Sequence, residues 1–367
     1  MNPKSILIVS DFAFPVQAGT ERLVFGLAEW LNKKYGIKAD ILTPNWNNLK
    51  EKETANGVTI HRFKTHDIKK TNPVKRIWDY VVAGLRLEKY DIYHGFYTVP
   101  PLVSAVALAK LRNAKSVITL FSAEQLEKNF GSQAKKFFIL HALRKADHIT
   151  AYTWKIEKQL REKYFPNQPT ATTPGWVDIG FSKKTPIKKG KEKIILFVGR
   201  MTESKGVFVL LEAFAKIKDS TSARLVLIGP PYEKEKVDNV IRELGLENQA
   251  DVLGFIPEKE LNEWYNKCDV VAVPALHADA FGFSLMEAMA CGKPVITTEG
   301  VGLKESEFGG IIVKQNDASE LENALLKILT DSSFYEKCKN NAIKMVKLFD
   351  RETVMKKYME VYTKVVQ

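Results

Sequence analysis

Short apolar runs alternate with amphipathic stretches along nearly the whole chain, and this confines it to α/β domains built on parallel sheets. A parallel strand needs a crossover back to the same edge of its sheet, so strand and helix signals have to take turns. The first series has strand-like runs at Ile6–Ser10, Ala39–Thr43, Asp91–His94, Val117–Leu120 and His148–Tyr152. Between the first two, Thr20–Lys34 places Leu23, Leu27, Trp30 and Leu31 on one helical face. A second series runs through Ile194–Val198, Leu225–Ile228, Val252–Leu253, Val270–Val273 and Val295–Thr297. The lysine-rich stretch from Ser182 to Lys193, with Pro186 and Gly190, separates the two and has little to bury.

At 367 residues the chain exceeds one ordinary core. The expected fold is two Rossmann-like, doubly wound domains facing across a cleft. Their expected bounds are 1–180 for an acceptor-binding domain, 181–193 for a linker and 194–348 for the second domain. A C-terminal helix over 349–367 is expected to pack back on the first. Open parallel sheets bind ligands at the carboxyl ends of their strands, so the loops that follow strands should hold the chemistry.

The loop after Ile194–Val198 has Arg200 and Lys205 between Gly199 and Gly206. Two cations brought to one point suit a diphosphate, the arginine as a planar fork and the lysine as a mobile charge. Neither Gly-x4-Gly-Lys-Ser/Thr nor Gly-x-Gly-x-x-Gly is present there, which argues against P-loop and dehydrogenase chemistry. Farther on, Asp279 and Glu287 stand eight residues apart around a turn that opens a helix over Phe283–Ala290, with Gly292 and Pro294 to stop it. Unpaired N–H groups at such a helix start suit an anion, and Glu287, one turn inside, suits ligand hydroxyls. After the first strand, Gly19 allows close backbone approach and Thr20 is placed to cap a helix.

Fifty-five Lys and Arg against 43 Asp and Glu give a net charge of +12, which favours an anionic partner without choosing one. Nucleic acid is not expected, because the lysine-rich stretch has no interleaved aromatics and no binding module is recognisable. No apolar run nears the roughly 20 residues of a membrane span, and the N-terminal run is too short for a secretory signal. Three scattered cysteines, Cys268, Cys291 and Cys338, suggest neither disulfides nor zinc. A cytoplasmic protein is expected. Basic and aromatic residues also mix in Lys69–Tyr80 and Lys135–Phe138. Two readings stand for these: Trp78 and Phe138 are core residues with the lysines opposite, the preferred one, or the segments rest on an anionic membrane at its inner face.

A set of motifs carries a resemblance across nearly the whole length. They are Ala18-Gly19-Thr20-Glu21, Asp91-Ile92-Tyr93-His94, Pro174–Asp178, Val198–Gly206, Gly254–Pro257, Phe281–Pro294 and the turn from Gly302 to Glu305. In these the chain resembles the retaining family-4 glycosyltransferases, the glycosyl transferases group 1, of glycosyltransferase B fold. The resemblance implies a sugar-nucleotide site in the second domain and transfer to a hydroxyl, in glycan, glycolipid or glycoconjugate synthesis; a lipid-linked acceptor goes only with the membrane reading of the basic and aromatic segments. Arg200 and Lys205 would neutralise the donor diphosphate, and Glu287 would hold the ribose. Asp279, in place of the family's first glutamate, would face the donor sugar. Backbone N–H groups near Gly282, Phe283 and Ser284 would cap phosphate and sugar, and Gly19 would close over the diphosphate. Glu124 is the acceptor-side carboxylate candidate. No Asp-x-Asp pair occurs, so the two cations would replace a metal ion, and no cofactor beyond the donor is implied.

Two departures stand out. Asp279 is one methylene shorter than glutamate. Phe121 occupies the place of a histidine that usually contacts the donor sugar, which implies either an unusual donor, such as a deoxy sugar or a pentose, or loss of catalysis. A non-catalytic nucleotide-sugar-binding protein and a sugar-nucleotide epimerase are therefore the competing readings. His94 is read as structural.

Overall fold

The computed structural model describes the chain except residues 1, 16–18, 47, 65–71, 123–125, 128–131, 183–191, 277–281 and 300–307, and except the side chains of 19, 20, 134, 181 and 182. Two compact units result, one of Met1–Pro174 with Val354–Gln367 and one of Gly175–Thr353. The lysine-rich stretch lies mostly outside the described residues, and the division falls at Pro174/Gly175.

The first unit alternates as the sequence pattern requires. Its elements are β1 (Ser5–Val9), α1 (Gly19–Trp30), β2 (Lys38–Pro44), β3 (Lys52–Ala55), β4 (Val58–Phe63), α2 (Pro73–Leu85), β5 (Ile92–Phe96) and α3 (Val99–Leu111). They continue with β6 (Lys115–Leu120), α4 (Gln133–Leu143), β7 (His148–Ala151), α5 (Trp154–Lys163) and β8 (Thr170–Thr172). The sheet order is β3-β4-β2-β1-β5-β6-β7-β8. All pairings are parallel except β3 with β4. Those two form a hairpin whose turn, Asn56-Gly57, has both residues at positive φ, 50° and 84°, as the right-handed strand twist favours. Ile6 to Val9 are wholly buried, since helices cover both faces of a parallel sheet.

The second unit contains β9 (Lys193–Val198), α6 (Val207–Ile217), β10 (Ala223–Ile228), α7 (Lys234–Glu243), β11 (Ala250–Gly254), α8 (Glu258–Lys267) and β12 (Val270–Val273). After them come α9 (Phe283–Ala290), β13 (Val295–Thr298), β14 (Gly310–Val313), α10 (Ala318–Thr330) and α11 (Ser332–Val346). Its six strands, in the order β11-β10-β9-β12-β13-β14, are all parallel. The doubly wound expectation holds in both units.

The last helix, α12 (Arg351–Val366), is grouped from Val354 onward with the first unit. Its attachment is polar and buried. Tyr362 OH lies 2.7 Å from His94 Nδ1, and His94 Nε2 lies 2.7 Å from Thr119 Oγ1, itself 2.6 Å from Thr150 Oγ1. His94 is therefore structural, as expected.

One expectation fails. Trp78 is 67% exposed and Phe138 55%, so neither is a core residue. The inward face of α2 is taken by Tyr80, Val81 and Gly84, and that of α4 by Ile139, Leu140 and Leu143. These positions leave Trp78 and Phe138 on the water side of their helices.

Burial holds the His94 imidazole well below its ordinary pKa of 6.5, and His148 is lowered by the same cause. Below pH 6.5 the unfolded chain takes up protons that the folded imidazoles refuse. Stability is then complete above that pH and falls by about 1 kcal/mol per pH unit per histidine as the pH drops below it. Urea unfolding of the wild type between pH 7.5 and 5.5 should show this decline, and His94→Gln should flatten it.

Candidate functional site

In the second sheet the chain runs outward from β9 to β10 and β11, then returns to lay β12 on the other side of β9. The loops leaving β9 and β12 therefore start side by side, at the point where an open parallel sheet forms its crevice. Residues 199–206 make up the first loop and 274–282 the second.

The first loop is fixed on several sides. Gly199 N–H donates to Ile228 O at 2.9 Å, and Met201 N–H to Pro230 O at 3.0 Å. Gly229, at φ 132°, lets the carbonyl of Gly199 come within 2.0 Å of where a Cβ would stand. A short 3₁₀ turn over Glu203–Lys205 ends at Gly206, whose φ is 74°. A Cβ on Gly206 would lie 1.9 Å from the carbonyl oxygen of Pro274, so only glycine fits between the two loops. Leu276 N–H then donates to Ser204 O at 3.1 Å. Arg200 is exposed and Lys205 half-buried on this clamped loop.

The second loop leads into α9. Gly282 is its N-cap in extended conformation, and its carbonyl accepts from Leu285 N–H at 3.1 Å and Met286 N–H at 3.3 Å. No side chain caps this end, so the N–H groups of Phe283 and Ser284 lead the helix at its positive pole. Glu287, in the second turn, is 4% exposed. Its Oε2 accepts a 2.9 Å hydrogen bond from the OH of Tyr265, the wholly buried residue of α8. Burial, and then the neighbouring Glu287 charge, push the Tyr265 phenol well above its ordinary pKa, so it stays a donor. Lys293 fastens the far end, with Nζ donating to Asn266 O at 2.8 Å and Cys268 O at 2.7 Å. Burial raises the Cys291 thiol to about 12, which makes it a poor nucleophile at neutral pH.

Arg200, Lys205, Gly282, Phe283, Ser284 and Glu287 thus belong to one switch point. Asp279 and Glu124 lie outside the described residues, as does the Gly302–Glu305 turn. Gly19 is the first residue of α1 in the other unit, directly after the loop that leaves β1. Sequence reasoning missed Tyr265, because nothing in the spacing of α8 marks it as the partner of a carboxylate 22 positions on.

In the first unit Phe121 follows β6 directly, as Tyr97 follows β5 and Tyr152 follows β7. The Phe121 ring stacks on Tyr152 at 5.0 Å and meets Tyr97 edge-on at 5.4 Å. Tyr97 holds φ at 77°, an unusual conformation for a tyrosine. At the switch point of this sheet Asp11, 1% exposed, accepts from Tyr80 OH at 2.9 Å and from Arg76 and Thr98. This anchors α2 to the end of β1.

Two family models account for nearly the whole chain. Glycosyltransferase Family 4 matches residues 18–181, and glycosyl transferases group 1 matches 178–345, which includes every described switch-point residue of the second unit. The chain is a group 1 glycosyltransferase. Among this glycosyltransferase's relatives, an uncharacterized glycosyltransferase of Methanocaldococcus jannaschii is 27% identical over 370 residues, with 92% of each chain covered. Among solved structures, a sucrose-phosphate synthase from Thermosynechococcus elongatus is 22% identical, with a TM-score of 0.84 and 98% of each chain covered. The Anabaena protein HepE in complex with UDP-glucose is 19% identical, with a TM-score of 0.76 and 98% and 99% covered. These likenesses show the glycosyltransferase B fold. No helix among the described residues is long and apolar enough to cross a membrane.

Two substitutions test the clamp. Gly206→Ala should cost roughly 2 kcal/mol or more in chemical denaturation, because strain and overlap with Pro274 add. Tyr265→Phe should cost about 1–3 kcal/mol by removing a hydrogen-bond donor from a buried carboxylate.

Proposed function

We propose that this glycosyltransferase moves a sugar from a nucleoside-diphosphate sugar to an acceptor hydroxyl, with retained anomeric configuration and without a metal ion. The observation that carries the reading is the clamp of the Arg200–Lys205 loop against the chain that leads into α9. On this reading Arg200 and Lys205 share the diphosphate with the start of α9, which has no side-chain cap. A departing nucleoside diphosphate gains negative charge as the glycosidic bond breaks, and groups already in place stabilise it without reorganising. One such donor is worth about 3 kcal/mol in the barrier. The UDP-glucose held by HepE supports the donor class.

Arg200 and Lys205 take the diphosphate, assisted by the N–H groups of Phe283 and Ser284 beyond Gly282. Glu287, whose Oε2 accepts from Tyr265, is the carboxylate assigned to the ribose hydroxyls. Asp279 is assigned by the resemblance to the donor sugar. The family resemblance assigns Gly19 to the diphosphate and Glu124 to the acceptor. The protein acts in glycan, glycolipid or glycoconjugate synthesis. A second reading, nucleotide-sugar binding without transfer, draws on Phe121, which offers no hydrogen-bonding group among its aromatic neighbours.

Turnover separates the two readings. Diphosphate release from UDP-, GDP- or ADP-sugars in the presence of mixed hydroxyl acceptors should be insensitive to EDTA. Proton NMR of the product should show the donor's anomeric configuration, and Arg200→Ala should lower kcat/KM by about 100-fold. An inverted product would contradict the reading, as would activity lost to EDTA and restored by manganese. Binding without any release would favour the second reading.

A further inference from the structure

Helices α2, α3 and α4 lie together on the first unit, with α3 in contact with both of the others. α3 is buried around almost its whole circumference, which is the state of a helix enclosed by neighbours. Ser104 Oγ on α3 donates to Ile77 O on α2 at 3.2 Å, and Gly84 makes room for Leu108. The apolar requirement of this layer is thus met inside it. Its outer side is nonetheless apolar. Val74 is 60% exposed, Leu111 63% and Phe137 72%, alongside Trp78 and Phe138. With Leu85, these make six of the thirteen large exposed apolar side chains among the described residues, concentrated on three helices. Val74 and Trp78 stand one turn apart on the same face of α2.

The charge around them has one sign. The three helices contain Lys75, Lys110, Lys135 and Lys136 against Asp79, with Arg76 already paired to Asp11. Each helix also ends on an arginine C-cap: Arg86, Arg112 and Arg144. Lys75, Arg86, Lys110 and Arg144 are exposed. Protein–protein cores are depleted of lysine, whereas aromatic rings flanked by lysine and arginine suit the headgroup layer of a bilayer. There the rings enter the acyl boundary while the long basic side chains reach anionic phosphates.

We infer that the outer side of α2, α3 and α4 docks on an anionic membrane surface. Where the transferase reading holds, on which this last step rests, the acceptor is taken from that membrane as a lipid-linked hydroxyl compound.

The test is co-sedimentation with vesicles of phosphatidylcholine alone and of phosphatidylcholine with 30% phosphatidylglycerol, at low salt and at 0.5 M NaCl. Binding is expected on the anionic vesicles only and should weaken with salt. The triple variant Trp78→Ala, Phe137→Ala, Phe138→Ala should bind at least tenfold more weakly with an unchanged melting temperature. Lys75→Glu with Lys110→Glu should weaken binding by about fivefold or more for each residue changed. Melting shifts with UDP, GDP and ADP, read on the same variants, should be unaltered. Their absence in wild type would strike the donor reading and leave docking standing. No partition into any vesicle, or partition indifferent to the triple variant, would overturn the inference. A wild-type dimer that the triple variant converts to monomer, without vesicle binding, would also overturn it and assign the face to a second copy of the chain.

Discussion

The carbonyl of Pro274 occupies the space that a side chain on Gly206 would need, and the arrangement of the second unit's site depends on that contact. It joins the loop after β9 to the loop after β12, the two strands between which the sheet reverses its order. Once joined, the short loop bearing Arg200 and Lys205 is held against Pro274 and Leu276 at the end of β12. The hydrogen bond from Leu276 N–H to Ser204 O holds the same relation from the other side. Electrostatic stabilisation of a leaving group, as proposed for this site, depends on groups positioned before the reaction, and backbone packing here positions the loop that bears them. The Tyr265–Glu287 bond applies the same rule to the carboxylate.

The first unit repeats the plan with different chemistry. Its sheet also reverses, between β1 and β5, and Asp11 joins the two sides through Thr98. Where the second unit has glycines and cations, this one has a row of rings. Tyr97, Phe121 and Tyr152 each stand immediately after a strand and touch in sequence. A histidine at Phe121 would bring a hydrogen-bonding group into this row. The phenylalanine instead continues ring packing from Tyr97 to Tyr152.

The sequence disclosed most of the fold because buried parallel strands must be apolar on both faces, as Ile6–Val9 and Ile195–Phe197 are. The α9 helix was legible from its helix formers and its stops at Gly292 and Pro294. The β3–β4 hairpin was marked by Asn56-Gly57 but passed over, because half-exposed edge strands give weak alternation. The positions of Arg200 and Lys205 after β9 and of Glu287 inside α9 were legible because the glycines around them break the apolar strand and helix patterns. Tyr265 could not, since a tyrosine inside a helix reads as core until its partner is known. Trp78 and Phe138 misled for a related reason. Aromatics among lysines fit either side of a helix, and only the packing of Tyr80, Val81 and Ile139 shows which side is inward.

The central claim is that the second unit's switch point holds a nucleoside diphosphate through Arg200 and Lys205. The most direct measurement is a metal-free thermal-shift series with UDP, GDP and ADP on wild type and on Arg200→Ala, with NAD as control. A ligand at 100 times its dissociation constant adds about 2.7 kcal/mol to stability, enough to raise the melting temperature visibly. The account predicts a shift with one diphosphate, none with NAD, and its loss in Arg200→Ala. No shift with any diphosphate, or an equal shift in Arg200→Ala, would contradict it.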